Sequence, residues 1–221
     1  QGRNHSTSEQ LNDFVGPNPQ LFTRTTDSRS SSRSFDVSGS YTRTFEGQRR
    51  REWSVLAQHL RNQSLQPYNL DQYDNRATPS GLPSYQETSR NEPRSLETTL
   101  QTDYAHPLGE RRTLEAGAKA ILRRALSDYQ IDTLRGETGP FQRDLRRSNG
   151  FDYTQNIAAG YSSYTYTTKN RYTLKGGLRY EHTFIDASTR EGGNLGVANY
   201  GVLVPSLNAS KTIKGTTLKL G

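Results

Sequence analysis

The sequence contains no cysteine and no methionine in 221 residues. Without cysteine there can be no disulfide framework, no thiol nucleophile and no thiolate metal site. A chain without methionine does not open at an initiator, and no signal peptide is present, so it reads as a fragment or a processed chain. Apolar residues are scarce as well, at 30%, and mean hydropathy is -0.95. No apolar run is long enough for a transmembrane helix. A soluble domain usually holds close to half apolar residues, and so low a share is ordinarily the mark of disorder. The aromatics argue otherwise. There are 13 tyrosines, 7 phenylalanines and one tryptophan, and they fall in register with a two-residue alternation. Tyrosine in excess of phenylalanine suits a half-wet wall, where a ring is covered and its hydroxyl stays in water.

Net charge is +7, with a pI near 9.7. Such a balance invites a nucleic-acid reading. The arginines, however, sit in short scattered runs: Arg49-Arg50-Arg51, Arg111-Arg112, Arg123-Arg124 and Arg146-Arg147. Most fall in predicted connections, as solvated loop charges or as contacts to anionic lipid headgroups. No nucleic-acid partner is expected.

The stretch Phe151–Phe184 carries the strongest pattern. Phe151, Tyr153, Ile157, Ala159 and Tyr161 share one parity, expected as an apolar row that meets lipid, as is the Tyr172 row of the next strand. Tyr172, Leu174, Leu178, Tyr180 and Phe184 alternate with Thr173, Lys175, Arg179, Glu181 and Thr183. A period of two puts each set on one strand face, and Thr167-Thr168-Lys169-Asn170 is the turn of a β-hairpin. The same alternation recurs at Phe35–Phe45, from Trp53, over Ser95–Ala105, at Tyr200–Ser210 with an interruption at Pro205, and from Thr216. Arg112–Tyr129 fits a helix by propensity and a strand by alternation; its place after the turn Pro107–Arg112 favours a strand. Residues 1–33, polar and of low complexity, are expected to be a loop or mobile arm. Residues 34–221 then form a segment of about eight strands.

The predicted connections alternate in length. They are short after the first, third, fifth and seventh strands. They are long at 66–94, 132–149 and 186–199, where prolines and glycines break any regular element. In an antiparallel meander, alternate connections lie at the same end. One end therefore carries tight turns and the other carries long polar loops, as in outer-membrane barrels. The fold expected is all-β: an antiparallel up-and-down meander forming part of a transmembrane β-barrel.

No catalytic or cofactor-binding grouping is evident, so no enzyme activity is expected. His5, His59, His106 and His182 lie far apart without metal-ligand spacing; His182 reads as an interfacial side chain. Gly192–Gly196 has the glycine content of a phosphate cradle but not its strand–loop–helix context. Arg179 and Glu181 share a polar face, either as a lumen-lining charge pair or as contacts to a ligand on its path. Tyr161, Tyr164, Tyr166 and Tyr172 cluster beside one turn, as a membrane-interface girdle or as a stacking platform for ligand rings.

Several segments in order resemble a known family. They are FDYTQNIAAGY at 151–161, GLRYEHT at 177–183, Asp103-Tyr104 with Pro107-Leu108, LEAGAK at 114–119, and Tyr200 with VPSL at 204–207. Together they are similar to the barrel repeat of TonB-dependent outer-membrane receptors of the Bacteroidetes type, over about residues 35–221. The resemblance implies a bacterial outer-membrane location and a barrel of about 22 strands closed around a plug. It implies import of siderophores, cobalamin or glycans, with outer-membrane lipid, the plug and the TonB complex as partners. Two other architectures stay open: a small complete barrel with a structural or adhesive role, and a soluble β-rich binding module with a basic surface.

Overall fold

The computed structural model describes residues 2–12, 20–74, 81–213 and 216–221; side chains are described from Phe22 onward, except that of Arg49. Expectations that fall on His5, Arg49, Pro79 or the turn residues 214–215 lie outside the described residues. The described chain is all strand and connection. Its strands are β1 (Gly2–Asn12), β2 (Gln20–Phe45), β3 (Gln48–Leu65), β4 (Tyr68–Asp74), β5 (Tyr85–Asn91), β6 (Arg94–Pro107) and β7 (Arg112–Arg135). They continue with β8 (Gln142–Arg143), β9 (Asn149–Thr167), β10 (Tyr172–Thr189), β11 (Gly193–Asn194), β12 (Tyr200–Ile213) and β13 (Thr216–Leu220). All belong to one antiparallel sheet.

The contested stretch from Arg112 is strand throughout: β7 pairs along its length with β9. Its alanines and leucines are good helix formers, and the ladder overrides that preference.

The long connection predicted at 66–94 is mostly absent. β3 and β4 pair with β2 in one unbroken register, Ser31 opposite Leu65 and Ser28 opposite Tyr68. β5 and β6 pair with β7 in the same way, Asn91 opposite Tyr129 and Arg94 opposite Leu126. Pro67 and Pro93 sit at the joins without ending the ladder. Arg29 N–H donates to the Pro67 carbonyl at 3.0 Å, and Ser64 N–H to that of Pro93 at 2.9 Å. A proline removes one donor but keeps its acceptor, so each costs a single ladder bond. The region 66–94 is therefore mostly strand, against expectation. So is part of 1–33, since β1 and β2 cover 2–12 and 20–33 where an arm was expected. Serine and threonine runs read as loop by composition, but a strand whose two faces both meet water needs no apolar alternation.

The alternation of connections holds. Tight turns occupy Glu46–Gly47, Leu108–Arg111 and Thr168–Arg171, while 136–148 and 190–199 join strands at the opposite end. Gly47 and Gly109 take positive φ, at 75° and 83°, where a side chain would be strained. At the third turn Arg171 itself takes φ 61°. The glycine-rich 192–196 stretch carries the returning strand β11 of a small hairpin with β10, with Gly193 and Gly196 at positive φ. Pro205 sits within β12 opposite Leu178. Thr212 N–H donates to the Arg171 carbonyl, so by alternation Leu178–Pro205 is a non-hydrogen-bonded pair. The missing N–H of Pro205 thus points away from β10, and no bond between the two strands is lost.

The sheet is inside-out relative to a soluble protein. Among the described residues only Phe22, Ile131, Leu134 and Ala187 are buried hydrophobics, whereas Thr99, Ser163 and Thr183 are buried polar residues, Thr183 at 1% exposure. Register assigns the faces. One face carries Phe35, Val37, Tyr41, Trp53, Leu100, Leu114, Leu122, Leu174, Leu178, Tyr180, Phe184, Leu203 and Leu207, all exposed. The other carries Asp103, Glu115, Lys119, Lys175, Arg179 and Glu181, more covered than the apolar row. A curved sheet crowds its inner face, so the polar face is the inner one. Exposed leucines in such number mark a surface that meets something other than water. On β10 the apolar row runs from Tyr172 to Phe184, about 40 Å along the strand and about 30 Å once tilted, close to the apolar band of a membrane barrel.

Register also overturns one face assignment. Tyr180 of β10 stands opposite Gly160, Leu178 opposite Ser162 and Leu174 opposite Tyr166. The outer row of β9 is therefore Ala158, Gly160, Ser162, Tyr164 and Tyr166. Tyr153, Ile157, Ala159 and Tyr161 lie on the inner face beside Lys175 and Arg179. Counting apolar bodies misplaced them, because an inner tyrosine satisfies its hydroxyl on a neighbouring carboxylate. The small outer residues Ala118, Ala120, Ala158 and Gly160 leave a shallow groove of about 660 Å³ bounded by Leu100, Tyr180 and Phe184.

Candidate functional site

The inner face is a continuous polar network at the level of the apolar band. Tyr161 lies flat across Gly117 and donates its hydroxyl to Asp103 Oδ1 at 2.5 Å, bridging three strands. Glu115 accepts from Ser163 Oγ at 2.9 Å and from Lys175 Nζ. Arg123 reaches Glu97 at 2.6 Å and Gln155 at 3.2 Å. Cross-strand pairs on one sheet face are the natural place for such contacts.

The six residues singled out by sequence do not form one site. Arg179 and Glu181 are on the inner face and pair with each other at 2.7 Å. Tyr164, Tyr166 and Tyr172 are exposed on the outer face near the tight turns. Arg112 lies over the Tyr166 ring at 5.9 Å and Lys211 over that of Tyr172 at 4.3 Å. A ring at the edge of an apolar band with a cation over it suits a membrane interface. Tyr161 departs from the girdle: it is an inner-face residue tied to Asp103. His182 is on the outer face beside Phe184, with ring centroids 4.4 Å apart, and meets the Tyr180 hydroxyl at 3.2 Å. Among the described residues no group of acidic or histidine side chains is arranged to hold a metal.

The densest chemistry lies where composition predicted loops. Beyond the apolar band, β2, β4, β5 and β7 continue as a polar extension toward the long connections. Their inner faces enclose a cavity of about 630 Å³ lined by Arg24, Gln72, Tyr85, Glu87, Arg135 and Arg147, among others. Glu87 is its anchor, at 6% exposure. It accepts from Tyr68 and Tyr85, each at 2.5 Å, and from Arg147 Nη2 at 2.6 Å. Burial pushes the Glu87 carboxyl up, but the two hydroxyls and the guanidinium outweigh it and hold the carboxyl below the usual glutamate range. Burial, and after it the bond to Glu87, raises both tyrosine hydroxyls, so they stay protonated donors. Asp144 first and Glu87 second keep Arg147 charged far above any working pH.

Arg147 belongs to the 136–148 connection, which it pins to the wall. The rest of that connection is held by Asp144 N–H donating to the Ile131 carbonyl at 2.9 Å and by Ser148 Oγ accepting from Ile131 N–H at 2.8 Å. Arg24 Nε bonds Gln72 at 2.8 Å. Arg135, opposite Tyr85 in register, is exposed and has no carboxylate partner among the described residues. The cavity thus offers guanidinium, amide and phenol groups at the mouth of the inner face, a donor set suited to polar or anionic solutes. Sequence reasoning missed it because Tyr68, Tyr85 and Glu87 lie among prolines. The signal available was alternation: Tyr85, Glu87 and Ser89 share one parity.

The model of the outer membrane protein beta-barrel family matches residues 43–221. The chain belongs to that family. Its place is the bacterial outer membrane, and the outer apolar row is the surface it shows to lipid. A search of curated proteins finds no match. As an outer-membrane barrel wall, the sheet pairs its backbone groups in the ladder and meets hydrocarbon only with side chains. In such barrels the long connections are the external ones, so the Glu87 cavity opens toward the outside.

Proposed function

We propose that this chain is barrel wall of a TonB-dependent outer-membrane receptor that takes up a nutrient of the siderophore, cobalamin or glycan class. One observation carries the reading. The polar inner face runs from Lys175 and Arg179 to the Glu87–Arg147 cavity at the external end, with guanidinium, amide and phenol groups facing a path through the barrel. A purely structural wall has no use for a donor-rich mouth above the membrane.

In this reading the chain performs no chemistry. Arg24, Arg135, Gln72 and Tyr85 meet the solute at the mouth, and the Arg179–Glu181 pair lines its path. The plug and the segment that engages the TonB complex are supplied by the rest of the receptor. The test is uptake by a strain deleted for the gene, using labelled cobalamin, a ferric hydroxamate and a maltooligosaccharide as probes. Loss of one uptake, abolished equally by a proton-motive-force uncoupler, is the expected result. Unchanged uptake of all three, or uptake indifferent to the uncoupler, contradicts the proposal.

A further inference from the structure

The outer face changes character just past the apolar band. In the row containing Phe35, register places Arg61 and Arg124 level with Leu96 and Asp186. The next rows outward hold Arg33, Arg94 and Asp152, then Glu92, Asp128 and Arg190, then Arg29 and Arg90. Most of these charges are already matched. Asp152 takes Arg124 at 2.7 Å, Glu92 takes Arg94 at 3.0 Å and also Arg90, and Asp128 takes Arg190 at 3.0 Å. Further out, Asp132 takes Arg143 at 2.5 Å.

Three arginines are left over. Arg29, Arg33 and Arg61 are exposed on this face and have no carboxylate partner among the described residues. Arg61 stands opposite Phe35, and Arg33 is two residues from Phe35 on the same face. Arg33 and Arg61 are therefore diagonal neighbours, about 7–8 Å apart at their Cβ atoms. Arg29 lies on the same face two periods of the alternation beyond Arg33, past Ser31.

We propose that Arg33 and Arg61, with Arg29 behind them, bind the phosphorylated headgroup of an outer-leaflet lipid whose acyl chains lie along the Phe35–Val37–Tyr41 row. Position supports this occupant over a soluble anion: the surplus guanidinium groups sit on the lipid-facing side, Arg61 level with Phe35 and Arg33 one row beyond it. Chemistry supports it too. Arginine engages phosphate with a planar fork, and a basic group at a membrane surface gains from the anionic leaflet. This site is on the opposite face from the Glu87 cavity and stands whether or not the barrel is a transporter.

The experiment measures binding of bis-phosphorylated lipid A to the full protein in detergent micelles, beside dephosphorylated lipid A and inorganic phosphate. Arg33→Gln/Arg61→Gln should weaken lipid A binding about 30-fold, whereas Arg112→Gln at the tight-turn end should leave it within about twofold. Native protein should bind dephosphorylated lipid A as weakly as the double variant binds lipid A, and its lipid A affinity should fall as salt rises. If the double variant does not fold, the salt series and the dephosphorylated lipid on native protein still decide. Lipid A binding unchanged in the variant, indifferent to salt, or matched by inorganic phosphate at equal concentration overturns the proposal.

Discussion

Gly117→Ala isolates the packing logic of the inner face. Gly117 lies between Asp103 and Tyr161 in one row of three strands. A methyl group there would stand 2.6 Å from Asp103 Oδ1 and closer still to Tyr161 Cε1. Either the ring stays and is overpacked, or it leaves and its hydrogen bond to a carboxylate is lost; each route costs about 1.5–3 kcal/mol. Alanine in place of glycine returns about 0.5–1 kcal/mol of backbone entropy. Net destabilisation is then about 1–2 kcal/mol. Gly160, one pair away on the outer face, is the control. The nearest atom to its added methyl is the Gly117 carbonyl at 4.0 Å, so Gly160→Ala should be neutral or stabilising by about 0.5–1 kcal/mol. The assay is reversible urea unfolding of the barrel in phospholipid vesicles, read by tryptophan fluorescence. In a Tyr161→Ala background the cost of Gly117→Ala should largely vanish, giving a coupling above about 1 kcal/mol. Equal effects of the two alanines, or additivity with Tyr161→Ala, would refute the stacked row.

Leu178 lies midway along the Tyr172–Phe184 row and half exposed, so Leu178→Arg should cost about 2–4 kcal/mol of stability in the bilayer by the same unfolding assay, while Thr173→Arg, on the inner face, should cost under about 1 kcal/mol. The Glu87 carboxyl is depressed in the folded state, so its contribution is present above the ordinary glutamate value of 4.5 and is lost as pH falls below it through the folded value. Protection of the Ile131 and Ser148 amides, with the intrinsic pH dependence of exchange divided out, should therefore fall on acidification below about pH 4.5 and stay flat between pH 5 and 8. Arg147→Met should raise the same exchange at neutral pH by about 1–3 kcal/mol of lost protection, since it strips a buried carboxylate of one donor.

What the sequence could show depended on which physical signal carried each element. β10 was legible because both its rows are pure: leucines and aromatics outside, lysine, arginine and glutamate inside. β7 was legible only through its position, since alanine and leucine favour a helix locally and the ladder decides. β9 was misassigned by one residue of parity. Its outer row needs small residues beneath Tyr180 and Phe184, while its inner row uses Tyr161 as a polar strut, so apolar count pointed to the wrong face. β4 and β5 were hidden behind Pro67 and Pro93, which interrupt a sequence pattern more than they interrupt a ladder. The Glu87 cavity vanished with them. Arg179 and Glu181 lie on the inner face, while the tyrosine cluster is split, with Tyr164, Tyr166 and Tyr172 on the outer face and Tyr161 on the inner.

Because these 221 residues contain no cysteine, single cysteines can be placed along β9 at 158–164 without background from this part of the wall. The decisive measurement is their labelling in intact vesicles by a charged, membrane-impermeant maleimide and by a lipid-soluble one. Cysteines at 159, 161 and 163 should react with the charged reagent, and those at 158, 160, 162 and 164 only with the lipid-soluble one. The opposite parity, or no alternation at all, would contradict a wall that turns its small and aromatic row to lipid and its tyrosine–carboxylate network to water.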